Sequence, residues 1–483
     1  MKNYTIVELH EMFKNDPSFI KTYYNELFEN IEKQQGRLNA FVTINKEEAL
    51  KAIEEKTFNP DDMLSMIPAV YKDNYSTKGI KTTASSKILE NYVPFYNATA
   101  VNKLNEHNTI IVGKTSMDEL AMGGTNKSAL TGPVTNPWNT LCISGGSSGG
   151  SAAIVGSGVV PFALGSDTGD SIRKPAAFCG VVGFKPTWGR ISRFGVVPYA
   201  SSLDTLGAFT RNVEDMAIVI EAMSGRDDRD MTSSNKPVEH YYENLNKDVS
   251  YLKIAVIKNI YDEISNPDVK NAMDLSIETY KKLGATVEFV SMNQDLLKAV
   301  LPVYTIIANS EATSNHACLD GINYGLRIPS ESADGVMIES RTAGFGKHIK
   351  RRFVLGNLAL STENIERMFR KAQRVRRLIV DDLNKIYENY DIILTPVSNN
   401  GAPLLEGAQD NRLSSQYVIL ENNLILANFS GVPSLTLPCG FTNGMPISIN
   451  IMGRLFEEQT VLNASYALES ELTFKNQYAG GEE

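Results

Sequence analysis

Residues 143–173 concentrate the side chains best suited to covalent chemistry. Two small-residue turns, Gly145-Gly146-Ser147-Ser148-Gly149-Gly150-Ser151 and Gly165-Ser166-Asp167-Thr168-Gly169-Asp170-Ser171, bracket an apolar stretch. Glycine lets backbone approach backbone or a ligand where a Cβ collides. A serine hydroxyl in such a turn is a nucleophile once a base takes its proton.

Three chemistries compete for the stretch. A phosphate cradle needs Gly-Lys-Ser or Gly-Lys-Thr after the loop, or Gly-x-Gly-x-x-Gly opening a helix, and Ser147–Ser151 contains no lysine. A Ser-His-Asp hydrolase finds Gly-x-Ser-x-Gly at 145–149. The frame 146–150 satisfies that pattern equally, so the match reflects composition. Of His10, His107, His240, His316 and His348, only the last three suit a triad, and none stands in a marked loop. The third chemistry is a serine whose base is a lysine. Such a lysine works only if burial or neighbours lower its pKa enough to leave a neutral amine. Lys72 ends the apolar run 66–71, where a strand carries it inward. The plain alternative is a surface lysine, and spacing alone does not decide between them.

The elements that must position these groups alternate between strands and helices. Asp16-Pro17 and the apolar spacing from Phe19 to Ile31 predict a helix, followed by a strand over 40–45 and a helix over 47–56. Further strands are expected at 66–71, 109–112, 159–164, 253–257, 285–290, 390–395 and 434–438. Helices are expected at 98–106, after Ser151, at 213–223, at 267–283 and, longest of all, at 363–389. This rhythm predicts an α/β sandwich with a largely parallel sheet. The helix 363–389 carries Arg367, Arg370, Lys371, Arg374, Arg377 and Lys385 on one side. A solvated face accounts for them, a partner or RNA contact being the alternative. Residues 225–250 turn polar and suggest a surface excursion, and the tail 476–483 is expected to fray.

Composition bounds the function. With 483 residues, 42% hydrophobic and 21% charged, the chain reads as globular and long enough for a large core. A net charge of -9 argues against strong nucleic-acid binding by this chain alone. Cys142, Cys179, Cys318 and Cys439 lie far apart without Cys-x-x-Cys spacing, which disfavours zinc and disulfide frameworks and favours a reducing compartment. The N-terminus lacks the apolar run of a signal peptide and no stretch reaches membrane-spanning length, so a cytoplasmic protein is expected.

Seven segments in order carry a resemblance. They are Tyr71–Asn74, Met117–Gly124, Gly145–Ser151, Gly165–Thr168 through Ser171-Ile172-Arg173, Gly183–Arg190, Ala200–Asp204 and Gly431–Pro433. On these motifs the chain resembles the amidase signature family, and within it the A subunits of glutamyl-tRNA(Gln) amidotransferases. The resemblance spans essentially the whole chain. It implies one large domain over 1–483, with a mixed central β-sheet flanked by helices on both faces and a helical N-terminal part over about 1–60. It implies a Ser-cisSer-Lys triad of Ser171, Ser147 and Lys72, and an oxyanion hole from the backbone of Thr168, Gly169 and Asp170. Ser148 and Ser151 are then left to shape the turn or cap the following helix.

The resemblance further implies free glutamine as ammonia donor, bound by Tyr304, Arg351 and Glu421. Arg352 is the alternative to Arg351, because the motif does not settle the register of Lys350-Arg351-Arg352. At 421 the family commonly has Asp. Ammonia would pass to a B subunit that activates Glu-tRNA(Gln), or Asp-tRNA(Asn), with a small C subunit completing a heterotrimer. ATP, Mg2+ and tRNA would act through the partner, leaving this chain no cofactor or metal of its own. A stand-alone amidase of small amides and a catalytically silent scaffold are the competing readings. One departure stands out: where the family usually reads Gly-Gly-Ser, this chain reads Gly169-Asp170-Ser171. A carboxylate aimed at an oxyanion opposes catalysis, so the Asp170 side chain is expected to point away from it.

Overall fold

The apolar runs of the sequence become strands of two sheets. The computed structural model describes residues 3–409 and 418–480. The smaller sheet contains β1 (Phe41–Ile44), β2 (Pro68–Lys72) and β3 (Ile110–Thr115) in the order β1-β3-β2, with β2 parallel and β1 antiparallel to β3. The larger has eight strands: β4 (Phe162–Asp167), β5 (Val182–Lys185), β6 (Thr205–Thr210), β7 (Lys253–Ile257), β8 (Thr286–Val290), β9 (Ile392–Pro396), β10 (Ser434–Thr442) and β11 (Met445–Gly453). Their order is β4-β6-β5-β10-β11-β9-β7-β8. Strands β4, β5, β6, β9 and β11 are buried at every residue, so helices and loops cover both faces.

The large sheet is mixed and mostly antiparallel, which corrects the expected largely parallel one. Only the β7–β8 and β7–β9 pairings are parallel; the other five are antiparallel. The helix-rich middle of the chain supplies the parallel crossovers, while the flanking strands pair antiparallel, mostly across long connections such as Pro186–Asp204 between β5 and β6. The tightest is Asn443-Gly444 between paired Thr442 and Met445. Both turn residues have positive φ, 49° and 74°, the backbone that joins hairpin strands without splaying them.

Several helices follow the expected spacing, including Thr99–Glu106, Val213–Met223 and Pro267–Lys282. The long helix expected at 363–389 is instead a π turn, Glu366–Arg370, leading into the helix Lys371–Tyr387. Its basic residues are largely answered locally, by Arg370–Glu366, Arg377–Asp381 and Lys385–Asp382 ion pairs and an Arg367–Asn364 hydrogen bond. That is the pattern of a solvated face. The segment 225–250 holds turns and no helix or strand, and Arg190 ties it back through the carbonyls of Lys236 and Pro237. The tail does not fray before residue 480, since the Ala479 N–H donates to Gly156 O at 2.9 Å. Residues 481–483 lie outside the described residues. One hydrophobic cluster runs from Ile6 through the sheet to Leu468, and it includes the N-terminal helices.

Candidate functional site

Lys72 is the last residue of β2 and wholly buried. Its Nζ lies 2.8 Å from Ser147 Oγ, 2.8 Å from Ser148 Oγ and 2.9 Å from Ser166 Oγ, with the Ser166 carbonyl at 3.3 Å. Burial drives its pKa down to about 7, against the opposing pull of the Asp118, Asp167 and Asp204 carboxylates. An ammonium here donates to all three hydroxyls; a neutral amine keeps two of those bonds and offers its lone pair to the third. A base of this kind is half neutral at neutral pH.

Ser147 sits in the loop before the helix Gly149–Gly156, and the Gly146–Ser147 peptide is cis. The loop is held by the motif at 117–124. Asp118 N–H donates to Ser147 O at 3.1 Å, and the Asp118 carboxylate accepts from Asn126 N–H and the Ser128 hydroxyl. A Cβ at Gly146 would collide with that carboxylate, so only glycine lets the two loops meet.

Ser171 lies between β4 and the helix Arg173–Cys179. Its hydroxyl is buried and has no hydrogen-bond partner among the described residues. The two serine turns are joined by Ser148 N–H donating to Ser171 O at 3.2 Å. Beneath them Asp167 and Arg173 form a fully buried ion pair at 2.9 Å. Burial alone raises the Asp167 carboxyl, but Arg173, the Ile172 N–H and Asn428 outweigh it and bring its pKa to about 2. Arg173 also donates to Gly169 O at 3.0 Å, and Lys174 N–H donates to Asp170 O at 2.8 Å. Because both peptides are planar and trans, the N–H groups of Asp170 and Ser171 face the opposite way from those anchored carbonyls. Removing one member of a buried pair leaves an uncompensated charge. Arg173→Met is therefore expected to lower stability by about 3–5 kcal/mol in chemical denaturation; a loss below about 1 kcal/mol would contradict the anchoring role given to it here.

The remaining sequence candidates fall into two groups. Tyr304, on the helix Gln294–Asn315, stacks over the nucleophile turn: a Cβ at Gly169 would lie 3.0 Å from its ring and 3.1 Å from its hydroxyl. Thr168 donates to Asp204 at 2.7 Å, Asp204 accepts from Tyr199 N–H, and the Tyr199 hydroxyl accepts from Arg352 at 3.2 Å. Arg352 thus joins the site through buried contacts. Arg351 does not: on the helix Lys347–Leu360 the buried face is Ile349, Arg352, Phe353 and Gly356, and Arg351 turns to solvent. Of the two arginines the motif left open, Arg352 is the one buried on the side of the site.

Glu421 reaches the wall of a cavity beside Asp170 but is already engaged. Its carboxylate accepts from Lys174 Nζ at 2.7 Å, Asn399 N–H at 2.8 Å and the Ser398 hydroxyl. Burial works against ionisation, yet Lys174 and these hydrogen bonds hold its pKa below the usual value. Asp170 is absent from the positive-φ positions, so its side chain brings no left-handed strain to the turn.

Sequence reasoning missed three contributors. Ser148 makes no side-chain cap to its helix; its hydroxyl bridges Lys72 Nζ and the Ser166 carbonyl. Ser166 and Asn74 extend that bridge, Asn74 Nδ2 donating to Ser166 Oγ at 3.1 Å. Ser151, by contrast, bonds Thr115 and Leu164 O and fixes helix to strand. The described residues contain no group of His, Cys, Asp and Glu able to hold a metal, and no described helix is long and apolar enough to cross a membrane.

Residues 23–462 match the Amidase family, and the chain belongs to it. Among its relatives, the glutamyl-tRNA(Gln) amidotransferase A subunit of Listeria monocytogenes serotype 4b (strain F2365) is 42% identical over 478 residues, 98% of each chain. The protein of the same name from Oceanobacillus iheyensis is 44% identical, over 97% of this chain and 96% of that one. The crystal structure of the glutamyl-tRNA(Gln) amidotransferase A subunit from Thermotoga maritima superposes with a TM-score of 0.82 at 34% identity, covering 98% of this chain and 96% of that one.

Proposed function

We propose that the chain is the glutaminase subunit of a tRNA-dependent amidotransferase, working through Lys72, Ser147 and Ser171. The observation that carries this reading is a buried lysine, its pKa lowered to about 7, bonded to Ser147 among other serines and adjoining a turn whose own serine hydroxyl, Ser171, has no partner among the described residues. The likeness to A subunits along 98% of the chain supports the choice of glutamine over other amides.

Neutral Lys72 accepts the Ser147 proton while Ser147 accepts that of Ser171. Such relay bonds are often unmade before substrate binds and tighten with it. Ser171 Oγ then bonds to the carboxamide carbon of glutamine, and the tetrahedral oxyanion meets the backbone N–H groups of the 168–171 turn. One such donor is worth about 3–4 kcal/mol. The C–N bond breaks, the nitrogen takes the relayed proton, and ammonia leaves a γ-glutamyl ester on Ser171. Water hydrolyses the ester by the reverse relay and releases glutamate. Tyr304 packs over the turn, and Arg352, rather than Arg351, supplies the cation for the substrate carboxylate. Ammonia passes to a B subunit that activates Glu-tRNA(Gln) with ATP and Mg2+, a C subunit completing the heterotrimer in the cytoplasm.

The test is amide transfer. The chain assembled with B and C subunits, glutamine and ATP is expected to convert Glu-tRNA(Gln) to Gln-tRNA(Gln), with Asp-tRNA(Asn) as the parallel substrate. A lone chain that hydrolyses simple amides at full rate, with no gain from partners, would make it a stand-alone amidase instead. A pH profile adds a second check. Only deprotonated Lys72 accepts a proton, so kcat/KM for glutamine should rise with pH along a limb centred near the pKa of about 7 and flatten above it. A limb centred above about 9 would mean an ordinary solvated lysine.

A further inference from the structure

Glutamine hydrolysis that delivers neutral ammonia leaves one proton behind. Acylation moves the Ser171 proton to the leaving nitrogen, and ammonia departs uncharged. Hydrolysis of the γ-glutamyl ester then yields the Ser171 hydroxyl, a carboxylate and one H+. Ammonium has no lone pair to attack an acceptor with, so ammonia must not carry that proton away. The proton rests on Lys72. With a pKa of about 7 against about 4.3 for a glutamate side chain, the amine holds it about 10^2–10^3-fold better than the product carboxylate. Until Lys72 loses it, the lysine cannot act as base again.

Three hydroxyls surround Lys72 Nζ. Ser147 leads back to the nucleophile, and Ser148 donates to the Ser166 carbonyl at 3.1 Å. Ser166 instead lies on the wall of a second cavity, of about 290 Å3, which also takes in Asn74 and Asp204 and reaches the exposed Arg229 and Met231. Asn74 Nδ2 donates to Ser166 Oγ at 3.1 Å, while Asn74 Oδ1 is buried without a hydrogen-bond partner among the described residues. When Lys72 is an ammonium, Nζ and Asn74 Nδ2 both donate to Ser166 Oγ, which leaves the Ser166 O–H to donate onward. An amide oxygen, a hydroxyl and a carboxylate on one wall give water the polar partners it needs.

We propose that Ser166, positioned by Asn74, passes the leftover proton from Lys72 to water in this second cavity, so that ammonia leaves the site neutral. The proposal rests on the glutaminase reading above. An Nζ–H bond breaks as Ser166 Oγ gains a proton. The Ser166 O–H bond breaks as water gains one, and water carries it past Arg229 and Met231 to solvent. Asn74 bonds Ser166 rather than Nζ, so it is a positioning residue: it aims the hydroxyl and offers Oδ1 to the water.

The experiment compares two acceptors for the γ-glutamyl group, water and saturating hydroxylamine, using the full chain in its assembled complex. Attack by water releases a proton. Attack by neutral hydroxylamine gives a neutral hydroxamate and the Ser171 hydroxyl, and releases none. Asn74→Leu keeps every bond to Nζ but removes both amide contacts. It should lower steady-state glutamine hydrolysis about tenfold while γ-glutamyl hydroxamate forms within about twofold of the wild-type rate. Its first turnover should still release about one ammonia per chain at the wild-type rate, because the slow step follows the chemistry. Ser166→Ala also loosens Nζ, so both products should fall, hydrolysis about tenfold further. Equal losses of both products in both variants would reduce Ser166 and Asn74 to a structural role and overturn the proposal. So would unchanged hydrolysis in Asn74→Leu. A wild type that forms neither glutamate nor hydroxamate from glutamine would instead strike the glutaminase reading itself.

Discussion

Ser171→Ala is expected to lower glutamine hydrolysis by about 10^4-fold or more, leaving the residual rate that binding and the oxyanion donors alone sustain. The hydroxyl is small, buried and without a hydrogen bond among the described residues, so its removal deletes no hydrogen bond among them. The variant should fold like wild type and still bind glutamine. A loss confined to kcat with KM preserved would show that the oxygen acts in the transition state rather than in binding. Retention of more than about a tenth of the activity would move the nucleophile elsewhere, to Ser147 or Ser148, which stand at the same lysine.

The second large effect belongs to Lys72. Lys72→Met keeps most of the length and the apolar stem of the side chain at the C-terminal end of β2 but removes the proton acceptor. General-base catalysis is worth about 10^2–10^4-fold, and loss of the relay should fall at the upper end because Ser147 loses its partner together with Ser171. Lys72→Arg should do no better than Met, since a guanidinium stays protonated and has no lone pair to offer. It also restores the positive charge, so the pair separates two roles for the lysine. If Arg rescued the rate, Lys72 would act as a fixed cation and the proton relay would be wrong. Ser148→Ala and Ser166→Ala each remove one of the hydroxyls that aim Nζ, and their losses should be smaller than that of Lys72→Met.

Much of the scaffold was legible in the sequence because its signals are local. The helix Val213–Met223 and the strand Lys253–Ile257 fall where apolar spacing placed them. The two glycine-serine turns were visible as composition, yet composition could not rank their serines. What separates Ser148 from Ser151 is a partner, Lys72 for one and Thr115 for the other, and both partners lie on strands distant in sequence. Asp118 and Arg173 were unreadable for the same reason. Arg173 gathers Asp167, Leu424, Asn428 and Ser434, contacts set by the sheet order rather than by any local pattern. Two other features had a local signal. Asn443-Gly444 between apolar runs announces the β10–β11 hairpin, and the apolar spacing of Ile349, Phe353 and Gly356 places Arg352 on the inward face with Arg351 outside. The parallel sheet was overestimated because strand–helix alternation in the middle of the chain was extended to its two flanks.

The most direct test is the mass of the intact chain during turnover. With glutamine present and the reaction stopped by acid, a γ-glutamyl adduct should appear, map to the peptide bearing Ser171, and vanish in both Ser171→Ala and Lys72→Met. An adduct on Ser147 or Ser148, or steady glutamine hydrolysis with no adduct at any serine, would contradict the assignment of Ser171 as nucleophile.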